Sequence, residues 1–277
     1  MRTILVVANE TIGSAALLAR AKEEAAKGPV RVVVCVPRKN PTHGNVIYAD
    51  SVFDAAQVRV DLARGVLRGL GIEAIGEVGD PDPYIAATDA IAEYRPDHVI
   101  VSTFPTAASG WLRRDFVERI AEATTIPVEH IVSEISEGIP FDETIVVANR
   151  TANSDVLLPQ LTAMATGGLP RLFIFVVPLD GGDAIALKRS QARLAQVVDR
   201  AHADGLNAAG MVGDPDPYTA TMNALAFFPN TKDVVVSTYS ATRSGWLRAD
   251  LIERLRKSSS RNVTHVVAVP ESGQAAA

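Results

Sequence analysis

The chain has 277 residues, 47% of them hydrophobic and 21% charged, with a formal net charge of -5; that is enough for one large domain or two of ordinary size, each with its own core. With 27 Lys and Arg against 32 Asp and Glu and no basic cluster, it lacks the positive footprint on which nucleic-acid binding leans, and nucleic acid is not an expected partner. The opening run reaches polar residues by Asn9, too early for a secretory signal, and no apolar stretch has membrane-spanning length, so the expectation is a cytoplasmic protein with no membrane partner.

The first predicted element is a strand over 3–8, and the second a strand over 30–36 that holds the single cysteine, Cys35. One cysteine forms no internal disulfide, and within "VRVVVCVP" it reads as a small buried hydrophobe, not a nucleophile. The stretch "SVFDAAQVRVDLARGVLRGLG" sets Phe53, Ala56, Val60, Ala63 and Leu67 along one stripe and ends in glycine, which predicts a helix. A strand over 72–78 leads to "GDPDPY", where Asp82 suits an N-cap and Pro83 the first helical position. Its paired aspartates have no further Asp, Glu or His at ligand spacing nearby, so a capping turn is expected there and no metal site. Strands over 98–102 and 128–132 flank "STFPTAASGWLRRD", in which Ser109 reads as the N-cap of a helix carrying Trp111, Leu112, Phe116 and Ile120.

The same series then recurs. "ILVVANET" is answered by "TIVVANRT", "VGDPDPY" is identical at Val78 and Val212, "SGWLRRD" returns as "SGWLRAD", and "PVEHIV" returns as "NVTHVV". Two tandem copies are therefore expected, over 1–134 and 143–270, joined through "SEISEGIPFDE". Apolar strands alternating with helices predict, in each copy, a parallel sheet covered on both faces. Ligands of such sheets bind past the carboxyl ends of the strands, where strand order reverses.

At those ends the copies carry Asn9 and Asn149, Ser102 and Ser237, Thr103 and Thr238, then Ser109 and Gly110 with Arg113, matched by Ser244 and Gly245 with Arg248. Arg113 and Arg114 in a first helical turn oppose the helix dipole at about 0.3–1 kcal/mol each. A helix N-terminus, hydroxyls and adjacent arginines make a candidate phosphate or carboxylate site. The bland alternative is that Asp115 and Glu118 pair with these arginines on the surface, and both readings stay open. The tryptophans Trp111 and Trp246 read as anchors that pin the loop. His130 and His265 stand at matching places in the last strands, either filling an interface or forming a pH-sensitive contact. Signatures of dinucleotide-binding dehydrogenases, P-loop NTPases, serine hydrolases and zinc proteases are absent from the sequence, and no catalytic residue is assigned.

In this order, twice over, "ILVVAN", "EVGDPDPYIAATDAI", "DHVIVST", "SGW", "VERI" and "IPVEHIV" resemble the universal stress protein family from end to end of each copy. The resemblance implies two flavodoxin-like (adenine nucleotide alpha hydrolase-like) domains, each a five-stranded parallel sheet of order 3-2-1-4-5 with helices on both faces. It implies intramolecular pairing of the two tandem domains through their last strands, and in many members a bound adenine nucleotide; a homodimer is a separate candidate partner state. ATP-binding members carry G-x2-G-x9-G-[S/T]; here Ser102, Pro105 and Arg114 or Asp115 stand near those glycines, and Ser237, Ser240 and Ala249 or Asp250 in the second copy. Without glycine the backbone approaches a triphosphate less closely, and proline removes a donor. The acidic residue the family places after its first strand is replaced by Asn9 and Asn149. ATP or AMP therefore stays a candidate cofactor without the glycine cradle. The leading expectation is a non-catalytic ligand-binding or regulatory protein; the alternatives are a dimerisation module that binds no small molecule and, third, a slow nucleotide hydrolase.

Overall fold

The computed structural model describes residues 1–40, 49–105, 116–133, 140–167, 169–240 and 250–269. Two compact units are present, one built on Met1–Asn40 and Ala56–Pro140, the other on Pro41–Ala55 and Phe141–Ala277, so that the helix over Ala49–Gly69 begins in the second and is counted below with the first, where most of it lies. The first runs β1 (Arg2–Val7), α1 (Ala15–Ala26), β2 (Val30–Pro37), α2 (Ala49–Gly69), β3 (Glu73–Gly79), α3 (Pro83–Tyr94), β4 (His98–Thr103), α4 (Phe116–Ala123) and β5 (Val128–Val132). The second repeats the series as β6 (Asp142–Val147), α5 (Leu157–Ala165), β7 (Arg171–Pro178), α6 (Ala184–Ala203), β8 (Asn207–Gly213), α7 (Pro217–Phe227), β9 (Asp233–Tyr239), α8 (Leu251–Ser258) and β10 (Asn262–Ala268).

Each unit forms one parallel five-stranded sheet, of order β3-β2-β1-β4-β5 in the first and β8-β7-β6-β9-β10 in the second. These are the two parallel α/β sheets that the alternation of elements predicts, in the flavodoxin-like order that the family resemblance implies. The central strands are buried on both faces, with Ile4 to Ala8, Val32 to Val36 and Phe173 to Val177 almost wholly out of water, which is why they read as unbroken apolar runs. Asp142 and Glu143, in the stretch expected as a linker, belong to β6.

Close approach of backbone to backbone fixes where the helices sit. A Cβ on Gly210 would lie 2.5 Å from Phe175 O and 2.6 Å from Leu194 of α6, while one on Gly213 would lie 2.8 Å from Ala220 Cβ of α7 and 2.9 Å from Val176 Cγ1. Phe175 and Val176 point to opposite faces of β7, so α6 and α7 press on opposite faces of the sheet. Gly76 and Gly79 play the same parts toward α2 and α3. The aspartates of "GDPDPY" act as caps: Asp82 Oδ1 accepts from Tyr84 N at 2.8 Å, Asp80 Oδ1 accepts from Asp82 N at 2.8 Å, and Asp216 and Asp214 repeat the pattern in the second unit. In both units the capped helix then takes an arginine from the next helix over its tyrosine ring: Arg119 over Tyr84 at 4.1 Å, and Arg254 over Tyr218 at 4.0 Å.

The amino ends of the strands are tied by ion pairs. In the first unit the buried Glu24 takes Arg2 at 2.6 Å, Arg20 at 2.5 Å and Lys27 at 2.7 Å, and Arg20 reaches on to Glu129 of β5 at 2.9 Å. In the second, Arg171 meets Asp142 and Asp233, and Lys232 meets Asp142 at 2.6 Å. Lys27, with Arg2 and Arg20, holds the Glu24 carboxyl at about 2, against the burial that would raise it. A carboxylate whose folded value lies below its ordinary 4.5 lends stability that is complete above that pH and is lost as pH falls toward about 2. Thermal unfolding followed downward from neutral pH should therefore show a steep loss over that window, and Glu24→Gln should flatten it. An unchanged acid profile in the variant would remove Glu24 from this role.

Candidate functional site

Strand order reverses beside β1 in the first unit and beside β6 in the second, since β2 and β4, or β7 and β9, flank these strands on either side. The carboxyl ends at these two places gather the six described residues that the sequence singles out: Asn9, Ser102 and Thr103, and Asn149, Ser237 and Thr238.

Asn9 Nδ2 donates to Pro37 O at the end of β2 at 2.6 Å, and Asn149 Nδ2 donates to Pro178 O at the end of β7 at 2.8 Å. Each amide thus ties the end of the central strand to its neighbour. The second atom differs: Asn9 Oδ1 is buried without a hydrogen-bond partner among the described residues, whereas Asn149 Oδ1 accepts from Arg193 Nη1 of α6.

Hydroxyls close the other side of the reversal. Thr11 donates to Ser102 O at 2.9 Å and Thr151 to Ser237 O at 2.8 Å. Thr103 Oγ1 lies 2.9 Å from His130 Nε2 and Thr238 Oγ1 lies 2.8 Å from His265 Nε2, each across the pair formed with the edge strand. Burial pushes both imidazoles below the ordinary histidine value, with Arg256 adding to the effect at His265. In the first unit Ser133 Oγ donates to Ser14 Oγ, the N-cap of α1, at 2.8 Å, and lies 3.3 Å from Ser102 Oγ. Because its one hydrogen is committed to Ser14, Ser133 accepts from Ser102. The second unit has Ala268 where Ser133 stands, and there the hydroxyls of Ser154 and Ser237 are both buried without partners.

The charged side chains around the two reversals are not alike. In the first unit Glu10 pairs with Lys39 at 3.0 Å; in the second, at the matching places, Arg150 pairs with Asp180 at 3.2 Å. The pair is kept and its sign is exchanged. Tyr239 OH donates to Arg150 O at 3.3 Å, where the first unit has Phe104. Helix α6 lays Arg193, Gln196 and Arg200 along the segment after β6: Arg193 on Asn149, Gln196 Oε1 accepting from Asn153 Nδ2 at 2.9 Å, and Arg200 on Asn153 O at 2.5 Å. Arg189, one turn earlier on the same face, is exposed and has no hydrogen bond or ion pair among the described residues. Arg150, Arg189 and Arg193 carry no signal when the sequence is read alone; setting "ANET" against "ANRT" exposes the first of them.

Ser109, Gly110, Arg113, Ser244, Gly245 and Arg248 fall outside the described residues, as do Arg114, Arg243, Trp111 and Trp246. The helix start expected at Ser244 lies outside the described residues. Helix α8 begins at Leu251, after Asp250 at φ 50° and ψ 32°, in the left-handed region. Cys35 is fully buried, with burial, and then Glu77 and Asp89, pushing its thiol up to about 12; it is a packed side chain, as expected. Among the described residues no group of His, Cys, Asp and Glu is arranged to hold a metal ion, and no helix is long and apolar enough to cross a membrane.

No family model and no curated protein matches the chain. Among solved structures it is similar to a universal stress protein from Archaeoglobus fulgidus, at 16% identity and a TM-score of 0.35, over 98% of this chain and 97% of that one. It is also similar to a universal stress protein family structure from Burkholderia pseudomallei, at 16% identity and a TM-score of 0.33, over 47% of this chain and 96% of that one. A third, a universal stress protein family protein from Arabidopsis thaliana with AMP bound, has 14% identity and a TM-score of 0.31, over 50% of this chain and 95% of that one. At such scores the fold class rests on the chain's own strand order.

The serine chain makes two opposite expectations. Ser133→Ala leaves the buried Ser102 hydroxyl without its acceptor and should cost about 1–3 kcal/mol of stability. Ala268→Ser in the second unit supplies the missing hydroxyl between Ser154 and Ser237 and should raise stability by about 1 kcal/mol. Denaturant unfolding of both variants checks the pair; equal shifts of one sign would break the account.

Proposed function

We propose that this chain is a universal-stress-type ligand-binding or regulatory protein without catalytic machinery, taking a phosphate-bearing anion, an adenine nucleotide among them, past the carboxyl ends of its sheet strands. The observation that carries this reading is where the buried polar side chains lie. Asn9, Thr11, Ser14, Ser102, Thr103 and Ser133 in the first unit, and Thr151, Ser237 and Thr238 in the second beside the half-buried Asn149, crowd the strand-order reversals of sheets whose central strands are mostly apolar inside. Buried polar groups cost free energy unless they are hydrogen-bonded, and a fold that needed only stability has no reason to collect them at one end of each sheet. In an open α/β sheet that end is also where ligands bind.

In this reading the six described residues form the floor of the site, held by Pro37, Pro178, His130 and His265. Arg113 and Arg248, with Ser109, Gly110, Ser244 and Gly245, supply the anion contacts that glycine amides supply in ATP-binding members of the resembled family. A second reading, a pairing module that takes no small molecule, is favoured by the edge strands: Val132 and Val267, on β5 and β10, are 45% and 46% exposed.

Thermal unfolding of the purified chain with and without ATP, AMP, cyclic nucleotides and inorganic phosphate separates the two. A ligand at a hundred times its dissociation constant should add about 2.7 kcal/mol, so flat midpoints at saturating concentrations sink the binding reading. If a ligand does raise the midpoint, Arg113→Ala combined with Arg248→Ala should abolish the rise; a rise that survives moves the anion contacts elsewhere. For the second reading, Val132→Lys and Val267→Lys should shift the mass in sedimentation from dimer to monomer; an unaltered mass removes the pairing module.

A further inference from the structure

The two units differ most where α2 and α6 face the ends of the central strands. Arg193 of α6 is partly buried, and the acceptor the structure gives it is the neutral Oδ1 of Asn149, with no carboxylate at ion-pair distance among the described residues. Arg150 approaches from the end of β6 and Arg189 from the preceding turn of α6. The one described carboxylate here is Asp180, and it is taken by Arg150 at 3.2 Å. Burial lowers the Arg193 guanidinium from its ordinary value, Asp180 opposes this, and Arg150 and Arg189 add to it. A partly buried guanidinium facing like charges is stabilised by an anion with oxygens on more than one side, which its planar fork suits better than a lysine would.

The stripe also explains why the place is preorganised. Gln196 and Arg200 fasten Asn153, and Arg193 fastens Asn149, so the backbone after β6 is held along α6 before any ligand arrives. Arg189 ends the stripe with its donors unengaged among the described residues. In the first unit the same helical positions are Ala55, Arg59, Leu62 and Val66, the strand-end pair is Glu10 with Lys39, and Phe104 replaces Tyr239. One arginine of the three, Arg59, is left there.

We infer that the units are not equivalent, and that the second holds a phosphoryl group on the β7 side of its strand-order reversal through Arg150, Arg189 and Arg193, with the Tyr239 hydroxyl at the rim. The inference rests on the ligand-binding reading, confines it to one unit and one chemical group, and adds Arg150, Arg189 and Arg193 to the anion contacts of that unit. A free polyphosphate and the phosphates of a nucleotide present the same chemistry here, and the test separates them.

Calorimetric titration of the full chain with pyrophosphate, inorganic phosphate, AMP and adenosine decides the matter. One pyrophosphate per chain is expected, with adenosine unable to displace it; AMP displacing pyrophosphate more strongly than inorganic phosphate does identifies a nucleotide phosphate as the group taken. Arg189→Ala, at an exposed position without described partners, should leave the unfolding midpoint in place and weaken pyrophosphate binding about tenfold or more. Arg150→Glu with Asp180→Lys rebuilds the strand-end pair in the order of the first unit and should weaken binding likewise. Two equal sites per chain, displacement by adenosine, or binding indifferent to both variants overturns this inference and leaves the ligand-binding reading standing. Failure of every phosphate-bearing probe to bind the unaltered chain overturns both.

Discussion

Helices cover both faces of each sheet, and this confines polar chemistry to the strand ends. Phe175 and Val176, adjacent on β7, each lie against a helix, and every other position along the central strands is sealed in the same way. A backbone so enclosed satisfies its hydrogen bonds within the sheet and leaves no polar side chain a place in the middle. The glycines that admit the helices so closely are thus also what pushes the asparagines, serines and threonines to the carboxyl ends.

The two ends of the sheets are then put to different uses. At the amino ends cations and carboxylates are matched: Glu24 gathers three cations, and Arg171 and Lys232 share Asp142. Partly buried pairs of this kind are costly to break because the survivor is left without its counter-charge. At the carboxyl end of the second unit Arg150 has Asp180, whereas the acceptor of Arg193 among the described residues is an amide oxygen. A duplicated fold thus keeps its stabilising end in both copies and lets the other end diverge.

Much of this architecture was legible residue by residue. Strands come within a residue or two of where β-branched runs place them, because a doubly covered parallel strand has no wet face to blur the pattern. Asp82 and Pro83 announced a helix start through local rules that need no tertiary partner, and Asp82 caps α3 as those rules require. Asp250, before α8, adopts a left-handed conformation that an aspartate tolerates and that sequence does not advertise. The bonds that shape the site were out of reach for another reason. Asn9 meets Pro37, Ser14 meets Ser133 and Arg193 meets Asn149, and each partner is brought in by a strand or helix distant along the chain.

The exchange of Glu10 and Lys39 for Arg150 and Asp180 bears on how freely the halves can be recombined. Each pair joins the segment after a central strand to the segment after its neighbour, and each is neutral as a whole. Grafting one segment across without the other would set arginine against lysine in one unit and glutamate against aspartate in its twin. The transferable module is therefore the two strand ends together, and a chimera that respects the repeat must cut outside both.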